Sequence, residues 1–237
     1  MIPKVIHYCW FGGASLPWDV RKCIKSWKKY CPDYEIRQWN ESNFDINCHP
    51  FVQDAYKSKA WAFVSDYARL KIIYENGGIY LDTDVELLKN LDFLLEDQCY
   101  LGIQQPGGFC ATGLGFGAVK GNPIIKEMLE EYDKTQFSSK VKESIACPYL
   151  NARVIERMGY AYTEEIWRKD GITVYPCRYF DPIAPGITKN LLCGDTVSIH
   201  HYSASWISGQ VRIRRKIIRF IGDERIHKLK KILGRVQ

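Results

Sequence analysis

The stretch that most constrains this chain runs Tyr74-Glu75-Asn76-Gly77-Gly78-Ile79-Tyr80-Leu81-Asp82-Thr83-Asp84. Two adjacent glycines end a helix-like segment, because they accept backbone conformations that stop a helix. Ile79-Tyr80-Leu81 then reads as a short buried strand. Along a strand, residues i and i+2 point to one side. Asp82 and Asp84 are therefore expected to project together from the strand end. Isolated Asp-x-Asp triplets are mostly solvated turns or helix caps. Here two carboxylates at the end of a buried strand would repel, each raising the other's pKa. A hard divalent cation, Mn2+ or Mg2+, removes that repulsion and can also hold a diphosphate.

Apolar patterning along the rest of the chain alternates between strand and helix. Residues 4–10, 34–39, 99–104, 113–119, 173–175 and 196–200 read as strands. Residues 17–30 read as a helix with Ser15 as a candidate cap, and residues 51–75 as a helix broken near Ser58. Asn122-Pro123 opens a helix to about Tyr132, and residues 148–158 form another. That alternation predicts one α/β sandwich. No repeat, low-complexity segment or linker divides it.

The 237 residues suffice for one well-buried domain, and 46% hydrophobic with 25% charged residues is ordinary globular composition. No apolar run reaches the ~20 residues that span a bilayer. Met1-Ile2-Pro3-Lys4 leads directly into a strand, so no signal peptide is expected, and reduced thiols in a cytoplasmic protein are the expected reading of the cysteines. The nine cysteines are odd in number and form no C-x-x-C pair, which indicates neither a disulfide framework nor zinc. The net charge of +6 is concentrated in residues 209–237, with ten Lys/Arg against two Asp/Glu. The body, residues 1–208, is nearly neutral, so no nucleic-acid footprint covers it.

Three blocks carry a family resemblance. Residues 62–84 read A-x-x-S-D-x-x-R-L-x-x-I-Y-x-x-G-G-I-Y-L-D-x-D. Residues 2–12 open the chain as Ile-Pro-Lys-Val-Ile-His-Tyr-Cys-Trp-Phe-Gly, and residues 199–206 read Ile-His-His-Tyr-Ser-Ala-Ser-Trp. In this order they resemble glycosyltransferase family 32. The resemblance implies a GT-A fold, Rossmann-like, and metal-dependent transfer of a sugar from a nucleotide-sugar with retention of configuration. The implied acceptor is a saccharide or lipid-linked oligosaccharide, as in bacterial members that build capsular and other surface polysaccharides.

The site residues follow from the blocks. Trp10 ends the first strand, where α/β sheets place ligands, and offers a flat ring for a uracil; the competing reading is a core tryptophan. Tyr8 is a second candidate for that pocket. Asp66 and Arg69, i and i+3 on a helix, share a face; they form either a surface ion pair or a donor-binding pair, with Ser65 beside them. Tyr80 should point with Asp82. The resemblance assigns Asp82 to ribose and sugar and Asp84 to the metal. His200 and His201 are both candidate metal ligands, and adjacent strand residues face opposite sides, so one of the two is expected to serve. The resemblance also places Ser205 and Trp206 on a loop over the diphosphate, where an indole N–H would stabilise the leaving group. Asp181, in an Asp-Pro context, is either a turn or a carboxylate facing the acceptor.

Two other classes use similar residues. A metal-dependent hydrolase of nucleotide-sugars would need a positioned water and no acceptor cleft. A non-catalytic binding protein would have little reason to keep Asp66, Arg69 and both aspartates. In residues 209–237, Ile213, Ile217, Phe220 and Ile221 fall at helical spacing, as do Ile226, Leu229, Ile232 and Leu233. Two basic amphipathic helices are expected, either packed on the domain or lying on an anionic membrane surface.

Overall fold

The structure is a computed structural model that describes residues 1–105, 108–138, 145–185 and 189–203. Among these residues a seven-stranded sheet runs in the order β2-β1-β3-β6-β5-β8-β7. The strands are β1 (Val5–Cys9), β2 (Glu35–Trp39), β3 (Gly78–Tyr80), β5 (Cys99–Gly102), β6 (Phe116–Ala118), β7 (Trp167–Lys169) and β8 (Ile172–Tyr175). A second, two-stranded sheet pairs β4 (Val85–Leu87) with β9 (Ser198–His200) antiparallel. Helices are α1 (Trp18–Tyr30), α2 (Pro50–Lys57), α3 (Trp61–Asn76), α4 (Pro123–Asp133), α5 (Cys147–Arg157) and the short α6 (Cys177–Phe180).

Strand periodicity explains the layers. Neighbouring residues Tyr8 and Cys9, Ile79 and Tyr80, and Cys99 and Tyr100 feed alternate faces, and each face has its own apolar cluster. One cluster joins the sheet to α2, α3, α4 and α5 through Phe51, Leu70, Met128 and Val154. The other joins it to α1 and α6 through Trp27 and Phe180. Trp27 is wholly buried and donates its indole N–H to the Val85 carbonyl at 2.8 Å, which fastens α1 to β4.

β1 pairs parallel with β2 and β3, and β5 parallel with β8, while β6 lies antiparallel between β3 and β5. The carboxyl ends of β1, β3, β5 and β8 consequently share one edge. That edge is where open α/β sheets bind ligands.

Most expected elements are present, with three corrections. Pro17 rather than Ser15 precedes α1, with no side-chain cap bond. The strand expected over 113–119 begins in a 3-10 turn (Thr112–Leu114) and continues as β6. The strand expected to carry both aspartates stops at Tyr80. Because β4 belongs to the small sheet, the chain must leave the large one at once. Asp82 and Asp84 lie in the resulting turn, closed by Val85 N–H donating to the Asp82 carbonyl at 3.0 Å. Alternation along one strand therefore does not aim the two carboxylates; the turn does. Residues 209–237, and with them the amphipathic tail, fall outside the described residues.

His7 explains the second glycine of the pair. Its Nδ1 accepts the Trp39 indole N–H at 3.0 Å, so its proton sits on Nε2, which donates to the Gly77 carbonyl at 3.1 Å. A Cβ on Gly78, at φ +105°, would stand 2.9 Å from that Nε2 and from the Val5 carbonyl. Burial, with Arg37 nearby, pushes the His7 pKa down to about 4. The folded state thus binds this proton less readily than the unfolded chain. Its contribution is fully present above about pH 6.5 and falls as pH drops towards 4. We expect the His7 imidazole to remain the neutral Nε2–H tautomer down to about pH 5, read by 15N shifts; titration near 6.5 would refute the arrangement.

Candidate active site

Arg69 is the centre of the carboxyl-edge cluster. It stands on α3 and is 3% exposed. One Nη2 meets Asp66 Oδ1 at 3.0 Å and Asp82 Oδ1 at 3.2 Å. Nε donates to the Ser65 carbonyl at 3.1 Å, and Nη1 lies 3.8 Å from Cys147 Sγ. The guanidinium sits over the Tyr80 ring, 5.0 Å from its centroid. The Asp66–Arg69 pair is therefore buried, not the surface pair that helix spacing also allowed. Nη2 and Nε are bonded to protein partners, so Arg69 holds the two carboxylates in place.

Asp82 also accepts the Tyr80 hydroxyl at 3.1 Å. Burial pushes its pKa up to about 6, against Arg69, which pulls it down, and with Asp84, which adds to the rise. Backbone approach is tight here: a Cβ on Gly113 would fall 2.5 Å from Asp82 Oδ2 and 3.1 Å from Arg69 Nη1. Only glycine lets the 3-10 turn close over this carboxylate.

Asp84 is held from the other sheet. Its Oδ1 lies 3.1 Å from His200 Nε2. Its Oδ2 accepts the Ser203 backbone N–H at 2.7 Å and the Ser203 hydroxyl at 3.0 Å. Against the cost of burial, His200 and the Ser203 bonds hold the Asp84 carboxyl well below the usual carboxylate range. The register Val85↔His200 brings these partners together. Ligand atoms of Asp82, Asp84 and His200 all lie within 4.8 Å of one another. Two carboxylates and an imidazole suit Mn2+, with Mg2+ served by the oxygens. His200 Nδ1 is buried with no hydrogen-bond partner among the described residues.

The two histidines part as strand alternation requires. His201 Nε2 faces Glu86 Oε2 at 2.8 Å, and Glu86 also pairs with Lys22 at 3.1 Å. His201 is thus turned away from the aspartates and does not join the cluster. Tyr8 is buried, with its hydroxyl donating to Gln38 Oε1 at 2.8 Å and its ring edge on Trp27. Trp10 is half-buried at the end of β1, its indole N–H donating to the Ala14 carbonyl at 2.6 Å. Ser65 reaches the cluster through its carbonyl. Asp181 is wholly buried, its Oδ2 accepting the Gln105 N–H at 2.6 Å and the Tyr202 hydroxyl at 2.7 Å, so it is not open to an acceptor. Ser205 and Trp206 lie outside the described residues.

Sequence reading did not single out Ser203, Gly113 for its contact, or Cys147, whose N–H points at Asp66 Oδ2 from 3.4 Å. Ser203 sat within a quoted block and Gly113 at the start of a segment read as a strand. Cys147 gave no signal, since its approach to α3 is purely tertiary.

Replacing Arg69 by Met would leave Asp66 and Asp82 buried without their cation. Removing one partner of a buried ion pair costs about 3–5 kcal/mol. We expect urea denaturation at pH 7 to show a loss of that order in Arg69→Met. A loss under about 1 kcal/mol, the range of exposed pairs, would mean that water reaches the cluster.

Comparison with known proteins finds one family match and several relatives. Residues 17–101 match the family described as glycosyltransferase sugar-binding region containing DXD motif, a span that includes Asp66, Arg69, Asp82 and Asp84. The chain is 29% identical over 170 residues to inositol phosphoceramide mannosyltransferase 3 of Schizosaccharomyces pombe, covering 70% of this chain and 45% of that one. It is 28% identical over 220 residues to an uncharacterized glycosyltransferase of Acanthamoeba polyphaga mimivirus, covering 87% and 84%. Among solved structures, PaToxG glycosyltransferase aligns with TM-score 0.53 at 19% identity, covering 66% of this chain and 70% of that one. A glycosyltransferase involved in glycosylation of the PBCV-1 major capsid aligns with TM-score 0.50 at 15% identity, covering 90% and 97%. In motif, fold and relatives this chain is similar to DXD-containing glycosyltransferases, and it has the GT-A fold.

Proposed function

We propose that this chain is a metal-dependent, retaining glycosyltransferase. In this reading it moves a sugar from a nucleotide-sugar, a UDP-sugar, to a saccharide or lipid-linked saccharide acceptor in surface polysaccharide synthesis. The observation that carries the proposal is the Asp82, Asp84 and His200 group at the carboxyl edge of the sheet. With His200 neutral, Asp66, Asp82 and Asp84 outweigh Arg69 in charge, and a divalent cation balances the cluster. A bound Mn2+ or Mg2+ would neutralise charge on the diphosphate as it leaves.

The chain's own residues divide the remaining work. Asp84, anchored by Ser203, and His200 supply fixed ligand atoms that need no reorganisation. Asp82, pinned through Oδ1 by Arg69 and Tyr80, would serve the donor's ribose and sugar. Arg69 positions Asp66 and Asp82. Trp10, at the end of β1, offers a ring to the donor base. The acceptor oxygen forms the new bond to the anomeric carbon as the bond to the phosphate oxygen breaks, and its proton passes to that oxygen. Retention rests on the family resemblance together with the absence of an evident protein nucleophile among the described site residues.

The fission-yeast relative is named an inositol phosphoceramide mannosyltransferase, which favours a second reading: mannosyl transfer to an inositol-phosphate lipid head. A screen of UDP- and GDP-sugars with Mn2+, with and without acceptors, separates these readings from each other and from simple hydrolysis. Asp84→Ala is expected to abolish transfer with circular dichroism unchanged. Near-normal activity of that variant without added metal would refute the proposal.

No helix among the described residues is long and apolar enough to cross a membrane. Residues 209–237, read as a separate basic segment following the catalytic body 1–208, would hold the enzyme at an anionic membrane surface near a lipid-linked acceptor. Sedimentation with liposomes should show binding that needs anionic lipid, weakens with salt and is lost on truncation after Ser208. Equal binding to neutral vesicles would overturn that role.

A further inference from the structure

We propose that Asp181 is a positioning residue for His200, acting through Tyr202. The relay would stand in for the hydrogen bond that orients most metal-binding imidazoles. Such a histidine nearly always donates its second ring N–H to a carboxylate or carbonyl, which fixes the ring. His200 has no such bond: Nε2 faces Asp84, and the buried Nδ1 has no hydrogen-bond partner among the described residues. Something else must hold the ring.

Tyr202 is in place to do so. Its ring centroid lies 4.1 Å from that of His200, at an interplanar angle of 50°. Its φ of +46° is in the left-handed region, uncommon for a bulky residue. Such a conformation persists where the surroundings over-determine it, and clusters at functional sites. Here the surroundings include the 2.7 Å bond from the Tyr202 hydroxyl to Asp181 Oδ2.

Asp181 is itself immobilised. It is 0% exposed, and the same Oδ2 accepts the Gln105 backbone N–H at 2.6 Å. The Gln105 side-chain amide donates back to the Asp181 carbonyl at 2.9 Å. Both bonds to the carboxylate are charge-assisted and short, the strong kind. Gln105 follows β5, Asp181 follows α6 beyond β8, and Tyr202 follows β9, so one carboxylate ties three chain segments. The large sheet thereby sets a ring that hangs from the small one. The proposal rests on the metal-site reading only for its effect on affinity; the orientation of His200 is a property of the metal-free protein.

The test uses full-length Tyr202→Phe, Asp181→Asn and the double variant, each checked for folding by circular dichroism. In metal-free protein, the His200 imidazole signals, assigned through His200→Ala, should be sharp in the parent and shifted and broadened in every variant. Mn2+ titration followed by electron paramagnetic resonance should show affinity weakened about tenfold or more. The double variant should lose no more than the weaker-binding single, because both changes cut one relay. Unchanged His200 signals overturn the proposal, as do additive losses. If the ring responds but the parent takes up no Mn2+, the relay stands and the metal reading of the site falls. If Mn2+ binds alike in all and the ring does not respond, the metal reading stands and the relay falls. Should Asp181→Asn fail to fold, Tyr202→Phe, which removes one hydroxyl, decides.

Discussion

The buried guanidinium of Arg69 is the contact on which the site depends. Two carboxylates enter the apolar edge of the sheet from different elements, Asp66 from α3 and Asp82 from the turn after β3. Each would be costly there without a cation, because desolvation disfavours the charged form. One planar group with donors in several directions serves both. Its own burial is compensated by the Ser65 carbonyl and the Tyr80 ring. Asp82 nevertheless keeps a raised pKa, near 6, which marks a carboxylate not fully satisfied by its protein partners.

The second constraint is the small sheet. β4 leaves the main sheet immediately after the DXD turn and pairs with β9, more than a hundred residues later in the chain. The pairing sets Asp84 against His200 and, through the backbone of Ser203, closes the turn from outside. Asp82 is thus held by the large sheet and its helices, and Asp84 by the small sheet. A ligand spanning the two carboxylates would feel the relative position of two separately built units. The buried contacts of Asp181 reach across the same junction.

Much of the fold was legible because its signals are local. Helix boundaries at Tyr30, Ser58 and Gly77 came from periodicity and glycine, and the Asn122-Pro123 start of α4 from cap chemistry: Asn122 accepts the N–H groups of Ile124 and Ile125. β4 and β7 were not legible. Each is three residues long, too short for alternation to show, and each is a strand only because a partner lies beside it. Expecting Asp82 to extend the β3 strand failed for the same reason: Leu81 continues the apolar run and still bonds His7, but strand pairing ends before Asp82.

What the sequence by itself determined is the chemistry present. The blocks around residues 2–12, 62–84 and 199–206 named the aspartates, the arginine and the histidine pair, and their order along the chain pointed to the family. Periodicity and glycine placement add the α/β class. What only the tertiary structure decided is direction. Arg69 faces inward to two carboxylates rather than outward, His200 rather than His201 meets Asp84, and Asp181 is sealed inside instead of facing an acceptor. Facing depends on which strand pairs with which and on what else occupies the space behind a side chain. Both are set by contacts between residues tens to more than a hundred positions apart, such as Asp66 with Cys147 and Val85 with His200. No local pattern encodes them.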